Sequence, residues 1–454
     1  MNKKILITFI SIILFITVLF LSSKLNKDED ISKTSFLTST VIGISNNYVT
    51  MQDRNNIIYT FLINDAISFE VGEYIEIEYK GELDKNKETH DNEVVSYKVV
   101  SEVNSEVPTL FNDNGLFSKY YKVAYNKLNT MTLDEKIGQI LLVRVPLTNQ
   151  IEDLKKYNFG GYLLFQRDFD SKTKDDVINM IKEYQDNSKI PLLIAVDEEG
   201  GSVSRISSNT NLVNTPFKSS RELYQEGGFD LIRTDTINKS KILSELGINL
   251  NLAPVVDVTT NPNDYMYKRS IGLSPSLTSE YASVVINASH LGSVSYTLKH
   301  FPGYGNNLDT HLGASVDTRS YESIEKNDLP PFKAGIDAHA EAVLMSHNVV
   351  SAIDKNNPAS LSKEVHNLLR DKMKFTGIII TDDLSMNAIN PDTSVVDAII
   401  AGNDLLIVTD YENAIKSIKN ALNNGTLSEE LINKLAFRNL AWKYYKGLLI
   451  ANQK

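Results

Sequence analysis

The sequence predicts an α/β protein: a (β/α)8 TIM-type barrel preceded by a transmembrane anchor and a small all-β domain. Three observations predict it. From about residue 120 onward, short apolar runs alternate with polar segments of helical spacing, the pattern of a parallel sheet wound with helices. Between residues 34 and 105 the runs are β-branched and aromatic and are separated by Asn, Asp and Gly turns. The first 24 residues hold a long uncharged aliphatic stretch. The expected division is therefore an anchor at 1–24, a β domain at 34–105 and the barrel at 106–454.

In the anchor, Lys3 and Lys4 precede an uncharged run from Ile5 to Ser23, close to the ~20 residues that span a bilayer. It is longer than the apolar core of an ordinary secretory signal, and "FLSS" is a poor cleavage site. The lysines hold the N-terminus inside, and Asp28, Glu29 and Asp30 do not compete for that side. A single-pass protein of the cell membrane with everything after about residue 24 extracytoplasmic is expected; the alternative is secretion after signal cleavage.

The β segment, with "FLTSTVIGISNNYVTMQDRNNIIYTFLI" and "EYIEIEYKGEL", reads as a small OB-like barrel or sandwich that serves as a spacer or wall-contact module. It gathers no catalytic residue types. The barrel runs follow in order: "IGQILLVRV", "FGGYLLFQ", "PLLIAVD", "INLNLAPVVDV", "VSYTLKHF", "AVLMSHNVV", "GIIITDDL" and "DLLIVT". Helical patterns such as "KTKDDVINMIKEYQDNS" separate most of them.

Composition narrows the function. With 454 residues and 42% hydrophobic side chains the chain can bury a full core. A net charge of −11 without a basic run gives nucleic acid no electrostatic footprint. The absence of cysteine removes disulfides, thiolate metal sites and a thiol nucleophile.

Barrel active sites lie at the C-terminal ends of the strands. The third run ends in Asp197-Glu198-Glu199-Gly200-Gly201, the fourth leads to Asp257 and on to Lys268-Arg269-Ser270, and the fifth ends in Lys299-His300. The sixth ends near His347 and the seventh in Asp382-Asp383. One charged group at a strand end often only caps the next helix. Carboxylates, cations and imidazoles on five strand ends of one face describe a pocket for a polar, hydroxylated ligand.

No HExxH pair and no acidic cluster at ligand spacing suggests a metal, and "GGSVSR" is not a phosphate loop, so no cofactor is expected. What remains is a carboxylate at a rigid strand end, Asp382 or Asp383, and an acid/base candidate, His311, with Asp309 two residues before it. Glycoside cleavage needs these two functions, and an Asp beside the His can orient its imidazole.

The blocks "AVDEEGGSVSR", "LAPVVDV", "KHFPGYGNNLDTH" and "GIIITDDLSM" resemble the signatures of glycoside hydrolase family 3, in its bacterial β-N-acetylglucosaminidase branch, from Leu128 to the C-terminus. The resemblance implies that Asp382 is the nucleophile and that His311 is the acid/base with Asp309 as its partner. It further implies that Asp197, Arg205, Arg269, Lys299 and His300 bind the sugar. Tyr304 departs from the pattern, since many relatives carry a second His there. The expected activity is a retaining exo-β-N-acetylglucosaminidase acting on peptidoglycan or muropeptide-derived N-acetylglucosaminides, by a monomer held to the membrane through its N-terminal helix. The alternatives are a phosphorylase of the same glycosides and an anchored cell-wall-binding protein without turnover.

Overall fold

The computed structural model describes residues 34–45, 48–52, 57–63, 71, 73–81, 83, 89–90, 94–99, 107–305, 315–386 and 393–449. The expected anchor at 1–24 lies outside the described residues. No helix among the described residues is long and apolar enough to cross a membrane. The chain divides into two compact units, at 1–106 with 450–454 and at 107–449.

The first unit is a six-stranded, mainly antiparallel sheet in the order β5-β3-β2-β1-β4-β6. Its strands are β1 (Thr34–Ser45), β2 (Tyr48–Gln52), β3 (Ile58–Leu62), β4 (Tyr74–Lys80), β5 (Thr89–His90) and β6 (Val94–Val99). β1 pairs with β4 through its first half and with β2 through its second, with an irregularity between Val41 and Gly43. Val41, Val49, Met51, Phe61, Ile75 and Ile77 are buried, and residues between them such as Thr50, Thr60, Glu76 and Glu78 are partly exposed.

The second unit holds eight parallel strands in chain order: β7 (Leu141–Arg144), β8 (Gly161–Leu164), β9 (Leu193–Val196), β10 (Leu250–Asn251), β11 (Ser295–Phe301), β13 (Ala342–Met345), β15 (Ile378–Thr381) and β16 (Leu406–Val408). β16 pairs with β7. The circuit is completed more thinly between β15 and β16, by an Ile380–Leu405 bridge and the bond from the Leu384 amide to the Ile407 carbonyl. The result is a nearly closed barrel. Outside it, β12 (Val316–Asp317) and β14 (Val349–Val350) form a separate two-stranded ribbon.

Local chemistry sets the element ends. Helices Leu133–Gln139, Lys174–Asp186 and Ser220–Glu245 each begin with a reciprocal box in which Thr132, Thr173 or Ser219 is paired with Glu135, Asp176 or Glu222. The last of these helices is broken at Gly227–Gly228. Two strand expectations are corrected. In "IGQILLVRV" the first three residues finish helix Leu133–Gln139 and the fourth, Ile140, is the turn after it, so the strand starts at Leu141. In "INLNLAPVVDV" only Leu250–Asn251 forms a regular ladder, because Pro254 has no N–H to offer; its neighbours bond singly, Leu252 to the Val196 carbonyl and Val256 to that of Lys299.

Candidate active site

At the C-terminal ends of the barrel strands lies a cavity of about 540 Å3, within the range of small-ligand pockets. Asp197, Arg205, Arg269, Lys299, His300 and Asp382 all line it, together with Arg144, Phe165, Tyr265 and Asp383. Asp309 and His311 fall in residues 306–314, outside the described residues.

The segment after β9 is folded on itself. The Glu199 and Gly200 amides bond to the Val203 carbonyl, and Gly200 stands at φ +92° where a side chain would be strained. Glu198 is fully buried and takes no part in the cavity. Its carboxylate accepts the Arg205 and Ile206 amides at 2.7 Å each and the Ser207 hydroxyl at 2.6 Å. Asn251 of β10 clamps the Glu198 backbone, accepting its amide at 3.0 Å and donating to its carbonyl at 3.2 Å. Asp197 and Glu199 are thereby aimed inward and Arg205 is held beside them.

Glu199 is the hub of a charged network. Arg269 donates to both its oxygens, at 3.0 and 2.6 Å, and Lys299 Nζ lies 2.7 Å from Glu199 and 2.7 Å from Asp197. Burial alone would raise the Glu199 carboxyl; the Arg269 and Lys299 charges reverse this and hold it far below the usual carboxylate range. Burial would likewise lower the Lys299 ammonium, but the Asp197 and Glu199 charges raise it. The side chain of Glu199 is 5% exposed and that of Asp197 17%, so Asp197 is the partner left open to accept ligand hydroxyls. A carboxylate locked between two cations has no proton to donate. This removes Glu199 as an acid/base, and Glu198, spent on backbone amides, is removed with it.

In a regular strand Lys299 and His300 would face opposite ways. The register of β11 against β13 shifts between Lys299 and Phe301, and both side chains line the cavity. His300 Nδ1 lies 2.8 Å from Asp257 Oδ2, and its Nε2 lies 3.3 Å from a terminal nitrogen of Arg269. Arg269 carries only donors, so Nε2 accepts and Nδ1 carries the proton toward Asp257. The other Asp257 oxygen accepts the Tyr304 amide at 2.7 Å. Tyr304, the departure noted in the sequence, is buried and packs against His300 and Tyr265 with ring centroids 5.6 Å apart in each case.

Asp382 follows β15 directly. Its amide donates to the Met345 carbonyl at 3.1 Å, and its Oδ1 accepts the Asp383 amide at 2.9 Å. Asp383 holds the turn, accepting the Ser385 amide at 2.9 Å and the Thr409 hydroxyl at 3.0 Å. His347 supports the same turn through Nε2, which donates to the Asp383 carbonyl at 3.0 Å, with Ser360 on its other nitrogen. A carboxylate fixed at one end of a cavity ringed by cations and acceptors can serve as a nucleophile toward an electrophilic carbon held there.

Sequence reasoning missed Arg144 and Phe165, and it singled out Asp257 without its role. The available signal was the Arg that ends the apolar run "ILLVR", a charge at the active end of the first strand.

Residues 132–441 match the model for the glycosyl hydrolase family 3 N terminal domain. A beta-hexosaminidase from Xylella fastidiosa strain M12 is 29% identical over 301 residues, which are 64% of this chain and 89% of that protein. One from Xanthomonas campestris pv. campestris strain B100 is 30% identical over 291 residues, 62% and 87% of the two chains. Among solved structures, a glycoside hydrolase family 3 beta-N-acetylglucosaminidase from Paenibacillus sp. FPU-7 superposes with a TM-score of 0.65 at 29% identity, covering 70% of this chain. The chain spans 63% of that protein's length. A GH3 family glycosyl hydrolase from Mycobacterium smegmatis gives 0.62 at 27% identity, covering 69% and 98%.

Proposed function

This chain belongs to glycosyl hydrolase family 3 and is a glycoside hydrolase; from that premise we propose that it is a retaining exo-β-N-acetylglucosaminidase with Asp382 as nucleophile. The observation that carries the reading is the cavity itself. It joins one strand-end carboxylate to a preorganised set of hydroxyl-binding groups, Asp197, Arg269, Lys299 and His300.

In the first step an Asp382 oxygen attacks the anomeric carbon while the glycosidic C–O bond breaks. His311, oriented by Asp309, gives its proton to the leaving oxygen. In the second step the same imidazole takes a proton from water, whose oxygen displaces Asp382 from the sugar with overall retention. The binding set spans the ends of β9 to β11, so the sugar is fixed by groups that do not themselves react, which lowers the entropy cost of reaching the transition state.

The substrate is N-acetylglucosamine β-linked in peptidoglycan or its fragments. The likeness to beta-hexosaminidases and to a beta-N-acetylglucosaminidase supports the glycone. The uncharged run Ile5–Ser23 supports an anchor that places the enzyme outside the cytoplasm, beside that polymer. The test is release of aryl alcohol from an aryl N-acetyl-β-glucosaminide compared with the matching glucoside. Rapid cleavage of the first and little of the second is expected; no cleavage of either would sink the reading.

A further inference from the structure

In the sequence, Asp309 and His311 sit in the stretch 306–314, which runs between Gly305 and Ser315. The chain before that stretch is tied to β11 and to Asp257: the Gly303 amide donates to the His300 carbonyl at 2.8 Å and the Tyr304 amide to Asp257 at 2.7 Å. The chain after it is tied to β14. The Val349 amide donates to the Ser315 carbonyl at 2.8 Å, and the Ser351 amide and hydroxyl donate to the Asp317 carbonyl at 3.0 and 2.7 Å.

One side chain joins the two sides. Arg319, two residues past β12, donates its Nε to both oxygens of Asp317 at 3.1 and 3.0 Å and a terminal nitrogen to the same carboxylate at 2.7 Å. Its terminal nitrogens also hold Asp328, at 2.8 and 3.1 Å, at the junction of helices Tyr321–Asn327 and Leu329–Asp337. The backbone that leads into 306–314 lies directly on this group. A Cβ on Gly305 would stand 2.4 Å from a terminal nitrogen of Arg319, and one on Gly303 would stand 2.5 Å from the Asp328 side chain.

The Asp317 and Asp328 side chains are buried, and one guanidinium faces both. Burial pushes the Asp328 carboxyl up to about 6 against the pull of Arg319, with the charges of Asp257 and Asp317 adding to the rise. A buried ion cluster of this kind is often no more stabilising than apolar side chains of the same volume. What it supplies is geometry, because the planar fork fixes the direction of each N–H and can span two carboxylates at once.

We propose that Arg319 is a positioning residue for the acid/base: by bridging Asp317 to Asp328 against Gly303 and Gly305 it fixes both ends of the stretch that bears Asp309 and His311, and with them the placement of the His311 imidazole at the glycosidic oxygen. This rests on the glycosidase reading above. Asp382 is set separately, by β15, and the sugar-binding groups by β9 to β11 and the turn that carries Arg269. Arg319 therefore acts on proton donation and leaves nucleophile and sugar binding in place.

The measurement is kcat/KM, which reports the first chemical step, for full-length protein on two substrates. An activated aryl N-acetyl-β-glucosaminide has a leaving group that departs without a proton, and an alkyl one has a leaving group that needs it. In Arg319→Lys, whose point charge cannot span both acids, the alkyl substrate should lose up to about 10²-fold, the cost of misplacing a reacting group by an ångström, and the aryl substrate much less. Asp328→Asn leaves the guanidinium one acceptor in place of two and should move the ratio of the two substrates the same way; it decides the matter if thermal melts show that the lysine variant does not fold. A merely structural role lowers both substrates together. His311→Ala is the reference. It should move the ratio most, and adding Arg319→Lys to it should move the ratio no further, because the arginine then has no proton donor to place. A wild-type ratio in both clamp variants would overturn the proposal, as would a further shift in the double variant. Failure of the underlying reading shows differently: wild-type protein cleaves neither substrate, or His311→Ala itself leaves the ratio unchanged, and either result takes the proposal with it.

Discussion

Asp257 has two donors to satisfy and two oxygens with which to do it, His300 Nδ1–H on one and the Tyr304 amide on the other. It therefore fixes the tautomer of a cavity-lining histidine and the position of Tyr304 together. In Asp257→Asn the amide can accept only one of these donors. If His300 answers by moving its proton to Nε2, that proton meets the Arg269 guanidinium. The variant should lose about 1–3 kcal/mol of stability, the penalty of one unsatisfied buried group, and show a raised KM. Urea denaturation and steady-state kinetics check this; wild-type values in both would remove Asp257 from the account. For His311 the expectation concerns the leaving group. If it protonates the departing oxygen, His311→Ala should lose ~10²–10⁴-fold on alkyl or sugar leaving groups and much less on activated aryl glycosides. A defect of the same size across leaving groups would make the loop a binding lid. Charged residues at strand ends were legible from the sequence because their types and positions are local facts. The hub role of Glu199 was not, since it depends on Arg269 arriving from the turn at Tyr265–Lys268 and Lys299 from β11.

The turn after β9 is the element on which the site depends most closely. A Cβ on Gly200 would stand 2.2 Å from the Lys218 carbonyl oxygen, in addition to its positive φ of 92°. Gly425 has φ +78° and nothing within 4 Å. Alanine at either position incurs backbone strain of about 1–3 kcal/mol, but only at Gly200 must the turn move, taking Asp197 and Glu199 with it. Gly200→Ala should therefore lose both stability and activity, and Gly425→Ala stability alone. Thermal melts beside turnover numbers measure the contrast; equal activity in the two would mean that the turn does not set the binding geometry. The strand and helix alternation was readable because continuous apolar runs and polar segments of helical spacing are local signals. The brevity of β10 and the ribbon of β12 with β14 were not, because they follow from where ladder partners fall after the barrel forms.

Over the whole molecule, the charged site at one end of the barrel is separate from a buried charge elsewhere in it. Lys443, in helix Glu429–Tyr445, is fully buried with its Nζ 2.7 Å from Gln139 Oε1. Gln139 in turn donates to the Asn158 and Phe159 carbonyls just before β8. Burial pushes the Lys443 ammonium down to about 7. Between that value and the ordinary lysine pKa of about 10.4 the unfolded chain binds a proton that the folded chain does not, so stability rises with pH. The penalty is fully present below about pH 7. Stability should climb by at most about 1.4 kcal/mol per pH unit from this residue, and Lys443→Met should flatten that part of the slope. Denaturation of both proteins at pH 7 and pH 9 measures the difference. Identical slopes would show that the ammonium is already matched in the folded state. Closure of the barrel was legible in the number and spacing of its apolar runs; a lysine inside a helix of mixed polarity gave no sign that it would be buried.

The central claim is that Asp382 becomes covalently bonded to the sugar. It is tested most directly by quenching wild-type protein in acid during turnover of an activated aryl N-acetylglucosaminide and mapping the digested peptides by mass spectrometry. The account predicts one N-acetylhexosamine residue on the peptide containing Asp382, absent from Asp382→Asn. A protein that turns over under these conditions with its sugar on another carboxylate would contradict it.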